Sequence, residues 1–397
     1  MIDNEIIEKI TKRGVKEIIS ETEFVNLLQS GKKLRLKMGF DPSRADIHLG
    51  HVVGLRKLKQ LQDLGHEVIL IVGDWTAQIG DPSGQSVTRP MLTHDDVIAN
   101  AQSYMDQFFR VVDKNQTQVV WQSEWFGKFS LADVIELTSK FTVAQFLERD
   151  DFALRFKEHK PIAITEFLYP LLQAYDSVAI ESDVEFGGTD QMFNLLVGRT
   201  LQQIKGMRPQ QCFMMPILVG TDGINKMSKS LDNYISLDDT SNDMYGKVMS
   251  LPDSCIMTYF ELLTDVPTTE LHAIERELSA NAMNAKKLLA HTITETFFDS
   301  QIAGESQQNF ENVVQNRGIP DDIPEFPLAK TPSLNSVLLE SGSVSSNSEL
   351  KRLYKQNAVQ MISIKGETSS LTNDVDTTNI ESGTVIKVGK RRYIKLI

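Results

Sequence analysis

Two histidines lie one helical turn apart in the segment HLGH, where His48 and His51 flank Gly50. The segment stands between an alternating apolar stretch, typical of a strand, and an amphipathic stretch, typical of a helix. The first-turn N–H groups and the dipole of such a helix attract anions, and the glycine allows a ligand to approach closely. The segment therefore suits a nucleoside triphosphate. Ordinary surface or core histidines are the alternative, and small nucleotidyltransferases also use the HxGH pattern.

A second candidate for phosphate chemistry is the segment KMSKS, in which Lys226 and Lys229 follow the turn residues Asp222 and Gly223. Two ammonium groups on a flexible segment can stabilise the charge that grows on a departing pyrophosphate. A solvated basic loop is the alternative for this segment alone. Both motifs would lie at the carboxyl ends of parallel strands, where such sheets bind their ligands.

The elements that must position these motifs alternate between strands and helices. The predicted strands are LRLKMGF at 34–40, HEVILIVGD at 66–74, TQVVW at 117–121 and QCFMMPILVG at 211–220. The stretch GHVVGLRKLKQLQDLG places an apolar stripe on one face of a helix. Strand and helix in alternation predict an α/β fold with a doubly wound parallel sheet, that is, a Rossmann-like domain.

Four segments follow one another along the predicted chain. We expect a Rossmann-like catalytic domain over residues 1–220, the KMSKS loop and an α-helical domain over 221–317, a proline-containing linker over 318–333, and a small α+β domain over 334–397. The last segment should contain two short helices, a strand and a closing strand or hairpin.

Composition limits the classes of function. The net charge of −12 argues against a general nucleic-acid coat, but Ser333 to Ile397 contain nine Lys or Arg and six Asp or Glu. No apolar run approaches the roughly 20 residues of a membrane-spanning helix. The first residues lack the apolar segment of a secretion signal, and Cys212 and Cys255 have no CxxC partner. We therefore expect a cytoplasmic protein with reduced thiols, no membrane association and no cysteine/histidine metal site.

The two motifs together resemble the class I aminoacyl-tRNA synthetases, whose HIGH and KMSKS signatures stand here as HLGH and KMSKS. Four further segments are similar to the tyrosyl-tRNA synthetases of the bacterial type: GFDPS at 39–43, GDPSG at 80–84, TEFLYPLLQAYD at 165–176 and GGTDQMFN at 187–194. The resemblance covers essentially the whole chain. It implies that tyrosine and ATP form tyrosyl-adenylate and pyrophosphate, and that the tyrosyl group then passes to the 3′ end of tRNA(Tyr).

One predicted helix face carries three polar side chains. Tyr169, Gln173 and Asp176 are spaced i, i+4 and i+7 and are flanked by apolar residues, so burying them requires polar partners. A small polar ligand would satisfy them, and a solvated helix face is the alternative. The resemblance assigns Asp176 to the phenolic hydroxyl of the substrate, and Tyr169, Gln173 and Asp81 to its amino group.

The resemblance implies the remaining roles residue by residue. It places Gln191 near the substrate carboxylate and Asp41 near the reacting groups. ATP would contact Gly50, Gly188 for close approach, Asp190 through the ribose hydroxyls, and Lys229. The phosphate charge would be stabilised by His48, His51, Lys226 and Lys229, with Mg²⁺ arriving on the nucleotide rather than in a protein site.

Three positions depart from the commoner form of the family. Lys37 stands where many members have a tyrosine that touches the substrate hydroxyl, Gln85 replaces a usual basic residue although Arg89 remains nearby, and Ser43 replaces a frequent threonine. The first departure suggests a second subgroup of the bacterial enzymes. We hypothesise that Lys37 points into the pocket and pairs with Asp176 or another acid.

The resemblance also implies partners. The tail is similar to a small RNA-binding module first known from a ribosomal small-subunit protein, with Lys387 and the candidate RNA-binding residues Lys351, Arg352, Lys355, Lys390, Arg391 and Arg392. A homodimer is carried over from the family, with 141–170 as a candidate contact surface. The alternatives are a small-molecule nucleotidyltransferase, a catalytically inactive RNA-binding paralogue and a tryptophan-specific relative.

Overall fold

The chain folds into two compact units, Met1–Gln307 and Gln308–Ile397. The structure is a computed structural model, and it describes residues 2–42, 47–83, 92–315, 323–328, 333–389 and 392–397. Within these ranges, every helix is too short or too polar to cross a lipid bilayer.

The strands of the first unit are β1 (Glu17–Ile19), β2 (Arg35–Phe40), β3 (Glu67–Val72), β4 (Thr117–Trp121), β5 (Val184–Gly188) and β6 (Gln211–Met215). The helices that begin in this unit are α1 (Asn4–Lys12), α2 (Glu21–Gln29), α3 (Leu49–Gln62), α4 (Thr76–Ile79), α5 (His94–Phe108), α6 (Ser123–Phe126), α7 (Leu131–Thr138), α8 (Val143–Phe146), α9 (Asp150–Lys157), α10 (Ile164–Ala179), α11 (Met192–Ile204), α12 (Ser241–Met249), α13 (Ile256–Leu263), α14 (Thr268–Ala280), α15 (Ala282–Phe297) and α16 (Ser300–Phe310).

The six strands form one sheet in the order β1-β6-β5-β2-β3-β4. All neighbouring pairs are parallel except β1 with β6. The predicted doubly wound parallel sheet is therefore confirmed, with an antiparallel strand at one edge. The last predicted strand ends early, because Pro216 follows Met215 and has no N–H to donate to a ladder.

The strand order reverses at β2, and a crevice opens there. β3 and β4 extend the sheet to one side of β2, whereas β5 and β6 extend it to the other. β2 pairs with β3 over six residues but with β5 only at Leu36↔Val184 and Lys37↔Glu185. Beyond the Lys37↔Glu185 pair the two strands leave the ladder, at the topological switch point where sheets of this kind bind ligands.

Helices cover the sheet through apolar stripes. The predicted stripe of α3 is buried at Val52, Leu55, Leu58 and Leu61. The long helix α10 packs on α11 through an apolar cluster that includes Leu171, Ala174, Val197 and Leu201. The polar side chains of α10 therefore face the crevice rather than this cluster.

The second unit is a small α+β domain. Its strands are β7 (Glu325–Phe326), β8 (Val359–Ile362), β9 (Thr368–Leu371), β10 (Val385–Val388) and β11 (Arg392–Leu396), and its helices are α17 (Leu334–Glu340) and α18 (Asn347–Lys355). The sheet order is β7-β11-β10-β8-β9, and the buried core includes Leu334, Leu338, Leu350, Ile386 and Ile394.

The segment predicted as a linker is partly structured. Glu325 and Phe326 form β7, which pairs in parallel with β11, and Leu328 N–H donates to the carbonyl of Ile397 at 2.8 Å. Short strands such as β7 are defined by a distant partner and have no periodicity of their own. The four-part division of the chain otherwise stays a prediction.

Candidate nucleotide and amino-acid site

His48 and His51 form a cap at the start of α3. His48 precedes the helix, and its Nδ1 accepts a hydrogen bond from the Gly50 N–H at 3.2 Å, while His51 Nδ1 accepts one from the His48 N–H at 3.2 Å. Since both Nδ1 atoms accept, each neutral ring carries its proton on Nε2. Burial lowers the pKa of His48 well below its usual value, and electrostatic interactions with His51, Lys229 and Lys226 lower it further. His48 is therefore a neutral Nε2–H donor at physiological pH.

The HLGH segment lies against the KMSKS segment and the residues that follow it. The Leu49 N–H donates to the Ile235 carbonyl at 3.0 Å, and the Leu237 N–H donates to the Ile47 carbonyl at 3.1 Å. A Cβ added at Gly50 would lie 2.9 Å from the His48 ring and 3.8 Å from Met227 Cβ. Gly50 thus keeps the space between the first motif and the methionine of the second open, which a larger side chain would fill.

The backbone of the KMSKS loop is held by short-range side-chain bonds. Asn233 Nδ2 donates to Asp222 Oδ2 at 3.0 Å and to the Lys226 carbonyl at 3.1 Å, while its Oδ1 accepts from the Ser228 N–H at 2.8 Å. The N–H groups of residues 224 and 225 also donate to Asp222, which lowers the pKa of that carboxyl to about 2. These bonds fix where the two lysines leave the loop.

The two lysines of the loop contact residues of the same site. Lys226 forms an ion pair with Asp190, the residue assigned to the ribose, and its side chain is 56% exposed. Lys229 Nζ lies over the ring of Tyr104, 5.2 Å from its centroid. The structure thus pairs two residues that the sequence assigned to different parts of ATP.

The side chain of Tyr169 lies in the electrostatic field of three carboxylates. Tyr169 donates to Asp41 Oδ2 at 2.7 Å, and Thr76 donates to Asp41 Oδ1 at 2.7 Å. Burial raises the pKa of Tyr169 well above its usual value, and the charges of Asp41, Asp81 and Asp176 raise it further. A crevice with this charge distribution favours a cationic group such as an ammonium.

Asp176 is buried with only 2% of its surface exposed. Gln122 Nε2 donates to its Oδ2 at 2.8 Å, and Trp125 Nε1 donates to its Oδ1 at 3.2 Å. Burial raises the pKa of Asp176 to about 7, and both donors act against that rise. Each oxygen keeps a further lone pair, so the carboxylate can accept a hydrogen bond from a ligand hydroxyl.

Gln191 and Asp81 close another side of the site. Gln191 Nε2 donates to Asp81 Oδ2 at 2.6 Å, and the Gln191 Oε1 accepts from Asn194 Nδ2 at 2.9 Å. A Cβ at Gly187 would lie 3.0 Å from Gln191 Cβ. The end of β5 therefore needs glycine so that Gln191 can pack against the strand.

Lys37 has an acid partner that the sequence analysis did not name. It is fully buried, and its Nζ lies 2.9 Å from Glu185 Oε1 on the neighbouring strand. Its charge also acts on Asp176, where it lowers the pKa of the carboxyl. The side chain donates to the Gln173 carbonyl and to Ser177 Oγ, both at 2.7 Å.

The candidate RNA-binding residues belong to the second unit. Lys351, Arg352 and Lys355 are exposed on α18. Arg392 donates to the Ser343 carbonyl at 2.6 Å and pairs with Glu349 at 2.8 Å. Lys387 Nζ lies 5.2 Å from the centroid of the Tyr393 ring. The residues Lys390, Arg391, Ser43, Gln85 and Arg89 lie outside the described residues.

Sequence reasoning missed Glu185, Gln122, Trp125 and Thr76. Gln122 directly follows the predicted strand TQVVW, so its place at a carboxyl end was a usable signal. Glu185 stands inside the apolar run VEFGG, where an acid indicates a buried partner. Among the described residues, no three His, Cys, Asp or Glu side chains cluster as a metal site would require.

Comparisons with known proteins find relatives over nearly the whole chain. Residues 29–315 match the family model described as tRNA synthetases class I (W and Y). The chain is 54% identical to a tyrosine–tRNA ligase of Dehalococcoides mccartyi over 98% of both chains. It is 49% identical to a tyrosine–tRNA ligase of Thermotoga maritima, covering 98% of this chain and 96% of the relative.

A solved structure shares the fold. The C-terminally truncated mitochondrial tyrosyl-tRNA synthetase of Aspergillus nidulans superposes with a TM-score of 0.65 at 20% identity, covering 79% of this chain and 93% of the other. At that identity the likeness supports the fold alone, whereas the full-length sequence relatives support the family. The chain therefore belongs to the class I tRNA synthetases of the tryptophan and tyrosine group, and within it to the tyrosine–tRNA ligases.

Proposed function

We propose that the crevice at β2 and β5 joins tyrosine to ATP and then to tRNA(Tyr), with the residues in the roles assigned from the sequence. The observation that carries this proposal is the contact of HLGH with KMSKS and the segment after it, at the sheet edge where Gln122 also reaches the buried Asp176. A triphosphate at the two motifs would then lie at the same edge as a carboxylate that can accept a phenolic hydrogen bond. Because ATP and tRNA are cytoplasmic, we propose the same location for the protein.

The first step needs no general base, since an ionised tyrosine carboxylate attacks the α-phosphorus of ATP directly. Catalysis consists of positioning and charge stabilisation. The neutral His48 donates from Nε2 to a phosphate oxygen, as does His51, and the ammonium groups of Lys226 and Lys229 stabilise the leaving pyrophosphate. Ribose hydroxyls on Asp190 displace Lys226 from its ion pair and so release it toward the phosphates.

Tyrosine is held at both ends. Its hydroxyl donates to Asp176. Its ammonium lies in the negative field of Asp41 and Asp81 and contacts Tyr169 and Gln173. Gln191 lies toward the carboxylate, and Gly50 and Gly188 allow the nucleotide to approach the backbone. ATP enters as its magnesium complex, because a small hard cation is held largely by substrate phosphates.

The test of the activity is ATP–pyrophosphate exchange with each of the twenty amino acids. We expect exchange with tyrosine and none above background with phenylalanine, whose ring would leave the buried Asp176 without its hydrogen bond. Lys229→Ala should lower the single-turnover rate of adenylate formation at least about tenfold, roughly 1.4 kcal/mol, with tyrosine affinity nearly kept. Exchange that depends on another amino acid would refute the function, and an unchanged Lys229→Ala rate would refute that role.

The pH dependence of kcat/KM for tyrosine should follow the ionisation of the Asp176 carboxyl. Since the pKa of this carboxyl is about 7 in the free protein, its ionised, better-accepting form is lost as the pH falls below that value. We expect kcat/KM for tyrosine to rise with pH through about 7 and then level off. Steady-state exchange from pH 5.5 to 8.5 measures the profile. A profile without this limb, or the same limb in kcat/KM for ATP at saturating tyrosine, would contradict the assignment.

We propose that the second unit binds the phosphates of tRNA through its basic residues, together with Lys390 and Arg391. The exposed cations of α18 allow a test that leaves its fold intact. The triple variant Lys351→Gln/Arg352→Gln/Lys355→Gln should raise KM for tRNA about tenfold or more. It should also weaken the salt dependence of that KM, because binding through fewer protein cations releases fewer counterions from the tRNA. Tyrosine-dependent exchange should not change.

Lys365→Gln is the matched control, since Lys365 is an exposed cation of the same unit outside the predicted patch. Aminoacylation kinetics at two salt concentrations distinguish the variants. Equal effects of the triple and control variants would show that α18 has no special part in tRNA binding.

We propose a homodimer whose contact surface includes the region 141–170. Several large apolar side chains in and next to this region are strongly exposed: Leu131 74%, Ile135 59%, Val143 61%, Leu154 55%, Phe156 63% and Ile164 81%. Apolar surface of this kind favours burial against a partner. A second copy of the chain is the partner that the family resemblance supplies.

Phe156→Asp/Ile164→Asp should convert the dimer to a monomer, because a carboxylate in the interface loses its water without gaining a partner. Sedimentation velocity measures the change. Leu288→Asp, at a position that is 43% exposed on α15, is the control and should stay dimeric. A monomeric wild-type chain, or a dimer that survives the double substitution, would contradict this surface.

A further inference from the structure

A buried ion pair lies at the floor of the crevice. Lys37 and Glu185 have side chains that are 0% and 1% exposed, and their charged atoms are 2.9 Å apart. The two residues form the last rung at which β2 and β5 are paired, directly below the opening between the strands. Burying two charges is costly unless every polar atom finds a partner, so the pair requires an explanation beyond stability.

The hydrogen bonds of Lys37 account for its whole ammonium group. Its Nζ donates to the Gln173 carbonyl at 2.7 Å, to Ser177 Oγ at 2.7 Å and to Glu185. An ammonium has three N–H donors, and these three partners use them all. Lys37 therefore has no donor for the hydroxyl of a bound tyrosine. Although it replaces a residue that touches the substrate in many relatives, here it must act through its neighbours.

Glu185 passes the effect of Lys37 to Gln173. Its Oε1 accepts from Gln173 Nε2 at 3.0 Å, and its Oε2 accepts from Ser177 Oγ at 3.2 Å and from Gln210 Nε2. A carboxylate only accepts hydrogen bonds, so it selects the NH₂ side of the amide. The Oε1 of Gln173 is consequently turned away from Glu185, and the side chain is half-buried.

We propose that Lys37 and Glu185 are a positioning pair, which fixes the Gln173 amide with its carbonyl oxygen toward the amino group of the substrate. The inference rests on the proposed function, which places the tyrosine ammonium at Gln173. An ammonium needs acceptors, so an amide turned the other way would present it with N–H donors. Lys37 is needed because a buried carboxylate without a neighbouring cation is strongly unfavourable, so the ammonium keeps Glu185 in place as an acceptor.

The pair can be removed without leaving a charge behind. In Lys37→Met/Glu185→Leu, two apolar side chains of similar size replace the charges, a change that folded proteins often tolerate. We expect the dissociation constant for tyrosine, measured by equilibrium dialysis, to rise at least about tenfold, or one unit in log Kd. KM for ATP should stay within about twofold. Affinity for 3-(4-hydroxyphenyl)propionate, which keeps the phenol but lacks the amino group, should not change.

Glu185→Gln is the second variant, since it keeps the shape of the side chain and loses the negative charge together with the acceptor-only character that selects the amide side. It should weaken tyrosine binding in the same direction and spare the propionate analogue. The control is Arg155→Met/Glu166→Leu, which removes another buried ion pair that involves α10. It should leave all three ligand affinities unchanged, and thermal melts check that each variant is folded.

Two results overturn the inference. Unchanged tyrosine affinity in both folded variants would make the pair purely structural. Equal weakening of tyrosine and the propionate analogue would show that the pair acts on the phenol end, through Asp176, and not on the amino group. Failure of the proposed function is a separate outcome, because it would appear as absent tyrosine-dependent exchange in the wild-type chain.

Discussion

The separation of β2 from β5 after only two paired positions is the constraint on which the site depends. Parallel strands bring their carboxyl ends to one edge, and here the order reverses at β2, so the loops after β2 and β5 leave in opposite directions. Residues that follow β2, β3, β4 and β5 therefore reach one space: Asp41, Thr76, Gln122 and Asp190. An unbroken ladder between β2 and β5 would fill that space with strand. The buried Lys37–Glu185 ion pair lies at the last paired position of β2 and β5 and so forms a polar floor to the crevice.

Electrostatics inside the crevice are one-sided. Asp41, Asp81 and Asp176 all raise the pKa of Tyr169, whereas Lys37 is saturated by protein partners. A buried excess of carboxylate is unfavourable in the absence of a cation. A zwitterionic amino acid with a phenol supplies what is lacking, an ammonium for the negative field and a hydroxyl for the carboxylate. The proposed phosphate side has the opposite character, with two histidines and two lysines, so we infer that charge sorts the two substrates.

Sequence patterns predicted the elements with a local period and missed those defined by a distant partner. β2, β3 and β4 were recognisable from alternating or continuous apolar residues, and the spacing on α10 placed Tyr169, Gln173 and Asp176 on one helix. β1 and β7 have three and two residues, and each exists only because a remote strand pairs with it. The same holds for the site: Gln122 reaches Asp176 across 54 positions, and no one-dimensional pattern contains that contact.

Lys37 shows that a sequence motif does not specify which residues contact one another in a site. Its identity predicted an acid nearby, since a lysine buried inside an apolar strand needs a partner for its charge. Only the three-dimensional structure shows whether that partner is Asp176 or another acid such as Glu185. The register Lys37↔Glu185 decides between them, and register depends on the whole sheet rather than on either strand. The consequence is chemical, because a lysine paired with Asp176 would compete for the substrate hydroxyl. A lysine paired with Glu185 instead leaves Asp176 available for the proposed bond with that hydroxyl.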